Sequence, residues 1–590
     1  MTTGLDVAVA ALPLLLAGVL LVGFLWPATR AMPLAWITAI AVGYFAWSMP
    51  VNWLAAASAV GVLTAIEILW IVFGALVLLY TLMQAGAFDR INQGFATVSD
   101  DRRVQIVLIA FFMATFIEGA AGFGTPAAVV APLLLGLGFP ALAAVVAAII
   151  GHIIAVTYGA VGTPIIVGIQ TPLEDVAFTR DAIEGSGMTV QEFSIEVAAW
   201  AATYHALVGF VMPLFAVGMV VYFFGDPDDR SLAPMWEVAP LCLFSGVAFA
   251  IPYWISAWFL TAEFPALIGS MVGGTIVLGV LQAGYLLPDD EWEFPERDKW
   301  KDHWVGTIEP GQSNGSNGGD SAASRGGVSS EAKAADISDV DEEMSLLKAW
   351  SPYIVLVALL VITRAVDPIS EFINRDIFII SFTEMLGTTL GGSVAWMNVP
   401  GFWLLLSAVI AIPLFGMSGK EVSDAWKEAA QKIVSPFIAL VFVIAMVQVM
   451  LQSGAHPGAP EVGSMIVLLA QTTASTFGVA YPAIAALIGA LGAAMAGSNT
   501  VSNITFGAFQ FEAATQLGLP RTIIVGAQAV GGAIGNLVAI HNLVAALATV
   551  GLVGQEGRVM RLNIIPLLYY SIGVGVLCLL FSYVLFPTLF

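Results

Sequence analysis

Basic side chains are scarce. Lysine and arginine number 20 in 590 residues, against 42 aspartates and glutamates, for a net charge of −22. Such an acidic chain has no electrostatic footprint for nucleic acid, so no nucleic-acid partner is expected. Cysteine is nearly absent. Cys242 and Cys578 both lie in apolar runs, which argues against a disulfide framework or a zinc site. No nucleophile–base pair or metal-ligand cluster stands out, so the chain is not read as an enzyme, and no cofactor or metal is expected. The first apolar run, 5–26, lacks a basic lead-in and a small-residue cleavage signal, and reads as a retained helix. No stretch has the makings of a folded soluble domain, which argues against a membrane sensor.

What is present is apolar sequence. Apolar residues make up 59% of the chain and charged residues only 11%. Many runs exceed about 18 residues, the length that crosses a bilayer. The expected fold is an all-α polytopic membrane protein, embedded in the lipid of the plasma membrane. It has about twelve transmembrane helices and two re-entrant hairpins in an inverted repeat. The acid lies outside the lipid, in a loop with Glu174, Asp175, Asp181, Glu184, Glu192 and Glu196 and in the stretch 289–343. A host adaptation, such as one to high salt, accounts for it.

Spans are expected at 5–26, 33–49 and 55–84. Arg30 and the group Arg90, Arg102 and Arg103 follow the first and third, which puts those ends in the cytoplasm and the N-terminus outside. Residues 88–98 suit an interfacial helix. The N-terminal half runs to 287 and contains a first hairpin at 104–138, followed by a broken span at 141–168 and spans at 197–224, 238–258 and 264–287. Residues 288–345 are rich in Gly, Ser and acid and are expected to form a flexible cytoplasmic linker. The C-terminal half is 346–590, with a second hairpin at 482–517 and a long span at 522–548. Lys420, Lys427 and Lys432 belong in the cytoplasm, which the parity of crossings allows only if 377–397 does not span.

Two polar breaks organise the whole. The first is Glu118-Gly119-Ala120-Ala121-Gly122-Phe123-Gly124-Thr125-Pro126, and the second is Gly497-Ser498-Asn499-Thr500-Val501-Ser502-Asn503. Each is followed by an apolar arm ending in Leu-Gly-x-Pro, at 137–140 and 517–520. Lipid does not tolerate unpaired backbone, so such breaks are buried in protein or line a cavity. Thr125 before Pro126 reads as a helix cap, as do Ser498, Asn499 and Thr500. Two helix N-termini facing one another make an anion site. Candidate binding residues are therefore Gly122, Phe123, Gly124, Thr125, Ser498, Asn499, Thr500, Asn503 and His541. Gln528, Asn536 and Asn542 are possible wall residues. Close packing through small residues is the competing reading. Ionisable groups inside spans are few, and burying them is costly. Glu118 and His152 are the candidate proton carriers, whereas Glu67 and His205 read as structural.

These motifs resemble the L-lactate permease family. The segment from Glu118 to Pro126 with Ala127-Ala128-Val129 is similar to its first signature. Gly497 to Asn503, and Gly551-Leu552-Val553-Gly554 with Glu556, are similar to its C-terminal region. The likeness covers nearly the whole chain except 288–345. It implies a secondary transporter that takes up L-lactate, and often glycolate, by proton symport. A sodium-coupled carboxylate carrier and an anion channel are the alternatives. The wider superfamily places Ser-Asn-Thr at a tip that binds substrate and sodium, a pattern that Ser498-Asn499-Thr500 fits and that Gly122 to Thr125 does not. It also implies a homodimer and an elevator-like motion, both by analogy.

Overall fold

The structure is a computed structural model that describes residues 4–24, 26–96, 98–228, 230–310 and 344–590. Among the described residues the fold is all-α apart from one small hairpin. Among the described residues, 11 helices are long and apolar enough to cross a membrane, or 12 if one bent pair is counted as a span. The elements that matter for the site are α1 (Val51–Gln84), α2 (Arg102–Ala120), α3 (Thr125–Gly136), α4 (Ala141–Gly151) and α5 (Met212–Phe224). Later in the chain come β1 (Ile380–Phe382), β2 (Gly392–Val394), α6 (Tyr481–Ala496), α7 (Asn499–Leu517), α8 (Arg521–Gly535), α9 (Ile540–Thr549) and α10 (Glu556–Leu580).

Both breaks are real. α2 stops at Ala120 and α3 starts at Thr125, while α6 stops at Ala496 and α7 starts at Asn499. The two Leu-Gly-x-Pro sequences make matching corners. Gly138 (φ 96°) and Gly518 (φ 64°) turn left-handed after α3 and α7, and Pro140 and Pro520 are the caps from which α4 and α8 leave. Glycine accepts that backbone without a Cβ penalty, and proline is preset to begin the next helix.

The segment 377–397 is not a helix. β1 and β2 pair antiparallel, with Ile380 opposite Val394, and the hairpin leans on α1. Glu67 on α1 accepts from the Ala395 N–H at 3.3 Å, and Trp70 Nε1 donates to the Trp396 carbonyl at 2.9 Å. Glu67 is thereby a buried acid holding a backbone donor. His205 is also satisfied: its ring nitrogens lie 2.7 Å from Thr157 Oγ1 and 2.5 Å from Tyr570 Oη.

The linker expectation needs correction over residues 288–310. Residues 288–310 are packed against the helices: Trp304 is 2% exposed, and Phe294 packs on Phe139 with ring centroids 5.0 Å apart. The Trp292 N–H donates to Asp101 at 2.9 Å, and the Thr307 N–H donates to the Gly551 carbonyl at 2.9 Å. Its aromatic side chains supply the apolar anchors that its polar composition conceals. Residues 311–343 of the expected linker lie outside the described residues.

Arg103 binds this segment to α2. Its side chain is fully buried, pairs with Asp101 at 2.7 Å and Glu237 at 2.6 Å, and donates to the carbonyls of Pro234 and Asp290. Asp101 also caps α2, accepting from the backbone of Arg103 and Val104. Removing one partner of a buried pair leaves the other charge uncompensated. Arg103→Met is therefore expected to cost about 3–5 kcal/mol, read as a large fall in melting temperature in detergent. An unchanged melt would show that Asp101 is held by its backbone donors alone.

Candidate functional site

The first tip is three consecutive left-handed residues, Gly122 (φ 61°), Phe123 (φ 53°) and Gly124 (φ 77°). Phe123 bears the strain of that conformation, which costs of order 1–3 kcal/mol for a non-glycine residue. Gly124, not Thr125, occupies the cap position of α3; Thr125 is the first helical residue and its N–H bonds back to the Gly122 carbonyl at 3.0 Å. The expectation that the Thr125 side chain caps the helix therefore fails, because the left-handed turn delivers the chain to α3 one residue earlier.

The second tip follows the sequence reading more closely. Gly497 (φ 63°) ends α6, and Ser498 caps α7, its Oγ accepting from the Val501 N–H at 3.4 Å. Helix geometry leaves the N–H groups of Asn499 and Thr500 without intrahelical acceptors. Asn499 Nδ2 donates to the Ala529 carbonyl of α8 at 3.0 Å, while its Oδ1 is buried without a partner, lying against Gly532.

Both tips meet two further broken runs. After α4 the chain tightens into a 3-10 segment, Ile153–Tyr158, and then turns left-handed at Ala160 (φ 44°), Val161 (φ 55°) and Gly162 (φ 78°). A Cβ on Gly122 would meet Ala160 N at 2.9 Å, so the two left-handed turns touch. α8 likewise gives way to a 3-10 segment, Asn536–Val538, and α9 leaves at 45°. Asn542 on α9 bridges the tips. Its Nδ2 donates to Asn536 Oδ1 at 2.7 Å and to the Gly497 carbonyl at 3.3 Å, and its Oδ1 would stand 2.8 Å from a Cβ on Gly124. Asn503 reaches across to the first broken run and donates to the Pro164 carbonyl at 2.9 Å.

Between them lies a cavity of about 20 Å³, lined by Glu118, Phe123, Gly124, His152, Val156, Gly159, Pro164, Gly497, Ser498, Asn499, Thr500, Asn536 and Asn542. That is roughly the room of one water molecule. Among the described residues its only ionisable walls are Glu118 and His152, and no lysine or arginine lines it. Glu118 is 4% exposed, its Oε2 has no hydrogen bond, and His152 Nε2 stands 3.9 Å away. His152 Nδ1 lies 2.6 Å from the Ala148 carbonyl, which fixes the proton on Nδ1 and leaves Nε2 as an acceptor facing the acid.

Nine predicted residues are thus brought together: Glu118, Phe123, Gly124, His152, Ser498, Asn499, Thr500, Asn536 and Asn542. Gly122, Thr125 and Asn503 stand behind them, in the turn, the helix start and the cross-link. His541 is not in the cavity wall; its side chain is exposed and its ring presses on Gly497. Gln528 also lies behind the wall, donating to Ser502 Oγ at 3.0 Å. Val156, Gly159 and Pro164 were missed as wall residues. The breaks Thr157, Gly159, Gly162, Thr163 and Pro164 in one apolar run were the available signal.

Broken helices converging on one buried polar cavity within an all-α bundle of membrane-length helices define a multi-pass membrane transporter. A family model described as L-lactate permease matches residues 6–585, and the chain belongs to that family, whose members reside in the plasma membrane. It is 27% identical over 522 residues to a putative L-lactate permease of Haemophilus influenzae, covering 85% of this chain and 84% of that one. It is 25% identical over 604 residues to the glycolate permease GlcA of Escherichia coli K12, covering 98% and 96%. An L-lactate permease of Bacillus subtilis is 26% identical, covering 84% and 81%. Among solved structures, Neisseria gonorrhoeae MtrF, titled as one of a class of antimetabolite efflux pumps, aligns at a TM-score of 0.39 and 13% identity, covering 87% of this chain and 81% of that one.

Proposed function

We propose that this chain takes up L-lactate, and glycolate with it, by proton symport, with the cavity between the two tips as its binding site. The observation that carries the reading is the pairing of two helix N-termini with a buried Glu118–His152 couple, in a cavity that no cation lines. Helix N-termini attract a carboxylate. An unpaired carboxylate such as Glu118 is costly to keep charged away from water, a cost that a bound proton removes. A substrate anion and a proton thus arrive at neighbouring positions and balance one another. The two helix–break–helix units, each followed by a Leu-Gly-x-Pro corner and a broken run, support re-entrant hairpins in an inverted repeat. With room for about one water, the cavity takes up lactate only after the tips separate.

Uptake of labelled L-lactate into proteoliposomes tests the reading. An inward proton gradient should drive accumulation, and glycolate should compete. Accumulation that follows sodium and ignores pH would replace the proton with sodium. Flux that neither saturates nor shows counterflow would point to an anion channel.

Asn499→Ala removes a polar amide from the cavity wall and one of two side-chain donors to the Ala529 carbonyl, Thr157 Oγ1 at 3.2 Å being the other, and loosens the start of α7. A buried polar group left unpaired costs about 1–3 kcal/mol, so half-saturation for lactate should rise by roughly tenfold or more. An unchanged value would make the second tip a packing element.

A further inference from the structure

We propose that the chain carries an anionic phospholipid site, distinct from the transport cavity, where the end of α5 meets the start of α10. In a protein with 20 basic residues among 590, four converge here: Arg230, Lys301, Arg558 and Arg561. With His303, Leu142, Phe223, Phe224, Trp304, Leu562 and Ile565 they line a cavity of about 340 Å³. Among the described residues, none of the four makes a salt bridge. Two of the nearby acids are engaged elsewhere: Asp226 pairs with Lys299 at 2.8 Å, and Glu556 accepts from the Gly554 N–H at 3.1 Å, which leaves Asp302 as the acid acting on His303. Burial first, and then the neighbouring Arg558 and Lys301, hold His303 below its ordinary range against the opposing pull of Asp302.

The second half of the site is apolar. A cavity of about 320 Å³ is lined by Leu214, Phe215, Gly218, Met219, Tyr222, Phe223, Leu232, Met235 and Ile565, and it exposes no polar surface. Phe223 and Ile565 belong to both cavities, so the basic mouth opens onto the apolar groove. From Phe223 back to Leu214 the groove follows α5 for nine residues, about 14 Å of helix rise. That is roughly one leaflet of hydrocarbon. A free anion would use the mouth and leave the groove without purpose. A phosphodiester headgroup with its acyl chain fills both, and basic pockets at helix ends on the cytoplasmic side attract such lipids. The occupant is a lipid with a negative headgroup, of the phosphatidylglycerol kind.

Native mass spectrometry of the full chain in detergent tests this. Phosphatidylglycerol should be retained and phosphatidylcholine released. Arg558→Gln with Arg561→Gln should weaken phosphatidylglycerol by roughly tenfold or more, since each cation near the surface contributes separately. Both side chains are exposed, so folding should survive; Arg230→Gln with Lys301→Gln is the second pair and should act alike. Ile565→Trp narrows the passage between the two cavities and should weaken the lipid without altering its headgroup contacts. Equal retention of phosphatidylcholine, or unaltered phosphatidylglycerol binding in both charge pairs, overturns the proposal. So does glycerol 3-phosphate binding as tightly as phosphatidylglycerol, which would leave a small-anion site without a lipid.

Discussion

Glu118→Gln should exchange lactate across the membrane and fail to accumulate it. The substitution keeps size and polarity but removes the only carboxyl in the cavity wall. Symport needs the proton to load on one face and leave on the other. A carrier that cannot cycle it still moves substrate against substrate, because exchange starts and ends in the same protonation state. In proteoliposomes with an inward proton gradient, the ratio of inside to outside lactate should fall to about one, a loss of the whole driving force. Counterflow should stay within a few fold of the native rate. His152→Gln should behave similarly if the imidazole, 3.9 Å away, receives the proton from Glu118. Loss of counterflow as well as accumulation would make Glu118 a binding residue. Accumulation that survives in Glu118→Gln would move the coupling to His152.

The breaks were legible because glycine, serine and asparagine stand out in apolar sequence, and because lipid forbids unpaired backbone there. The corners were legible because glycine and proline each do one thing well at a helix end. Glu118 and His152 were legible by scarcity, since few ionisable groups lie within the spans. What escaped notice lacks such a mark. Ala160 and Val161 are left-handed, yet as residue types they read as ordinary helix. Their turn lies against Gly122, a contact 38 positions apart that no local pattern encodes. The role of Asn503 was misjudged for a similar reason: its partner, the Pro164 carbonyl, belongs to the other half of the chain. The ordered part of the linker was concealed by its charge, although Trp292, Phe294 and Trp304 within it were the signal.

The direction of His541 was equally invisible, and it leads to the second large effect. Gly497 sits at φ 63°, and a Cβ added there would fall 1.4 Å from His541 Cε1 and 2.1 Å from both ring nitrogens. Those separations are far inside van der Waals contact. Either the ring leaves or the tip moves, and the tip carries Ser498, Asn499 and Thr500. Gly497→Ala should therefore reduce lactate uptake to background, since a displacement of about 1 Å in a preorganised site costs around a hundredfold. His541→Ala alone should keep uptake within about threefold, because the exposed ring lies outside the cavity wall. Combining the two restores space, leaving only the penalty for alanine in a left-handed position, about 1 kcal/mol. The double variant should then recover to roughly a tenth to a fifth of the native rate. Such a recovery is a coupling between neighbours that additive effects do not produce. If His541→Ala alone abolishes uptake, the imidazole works on the substrate in another conformation of the carrier. If Gly497→Ala transports normally, the second tip has slack, and its contact with the ring does not hold the site in shape.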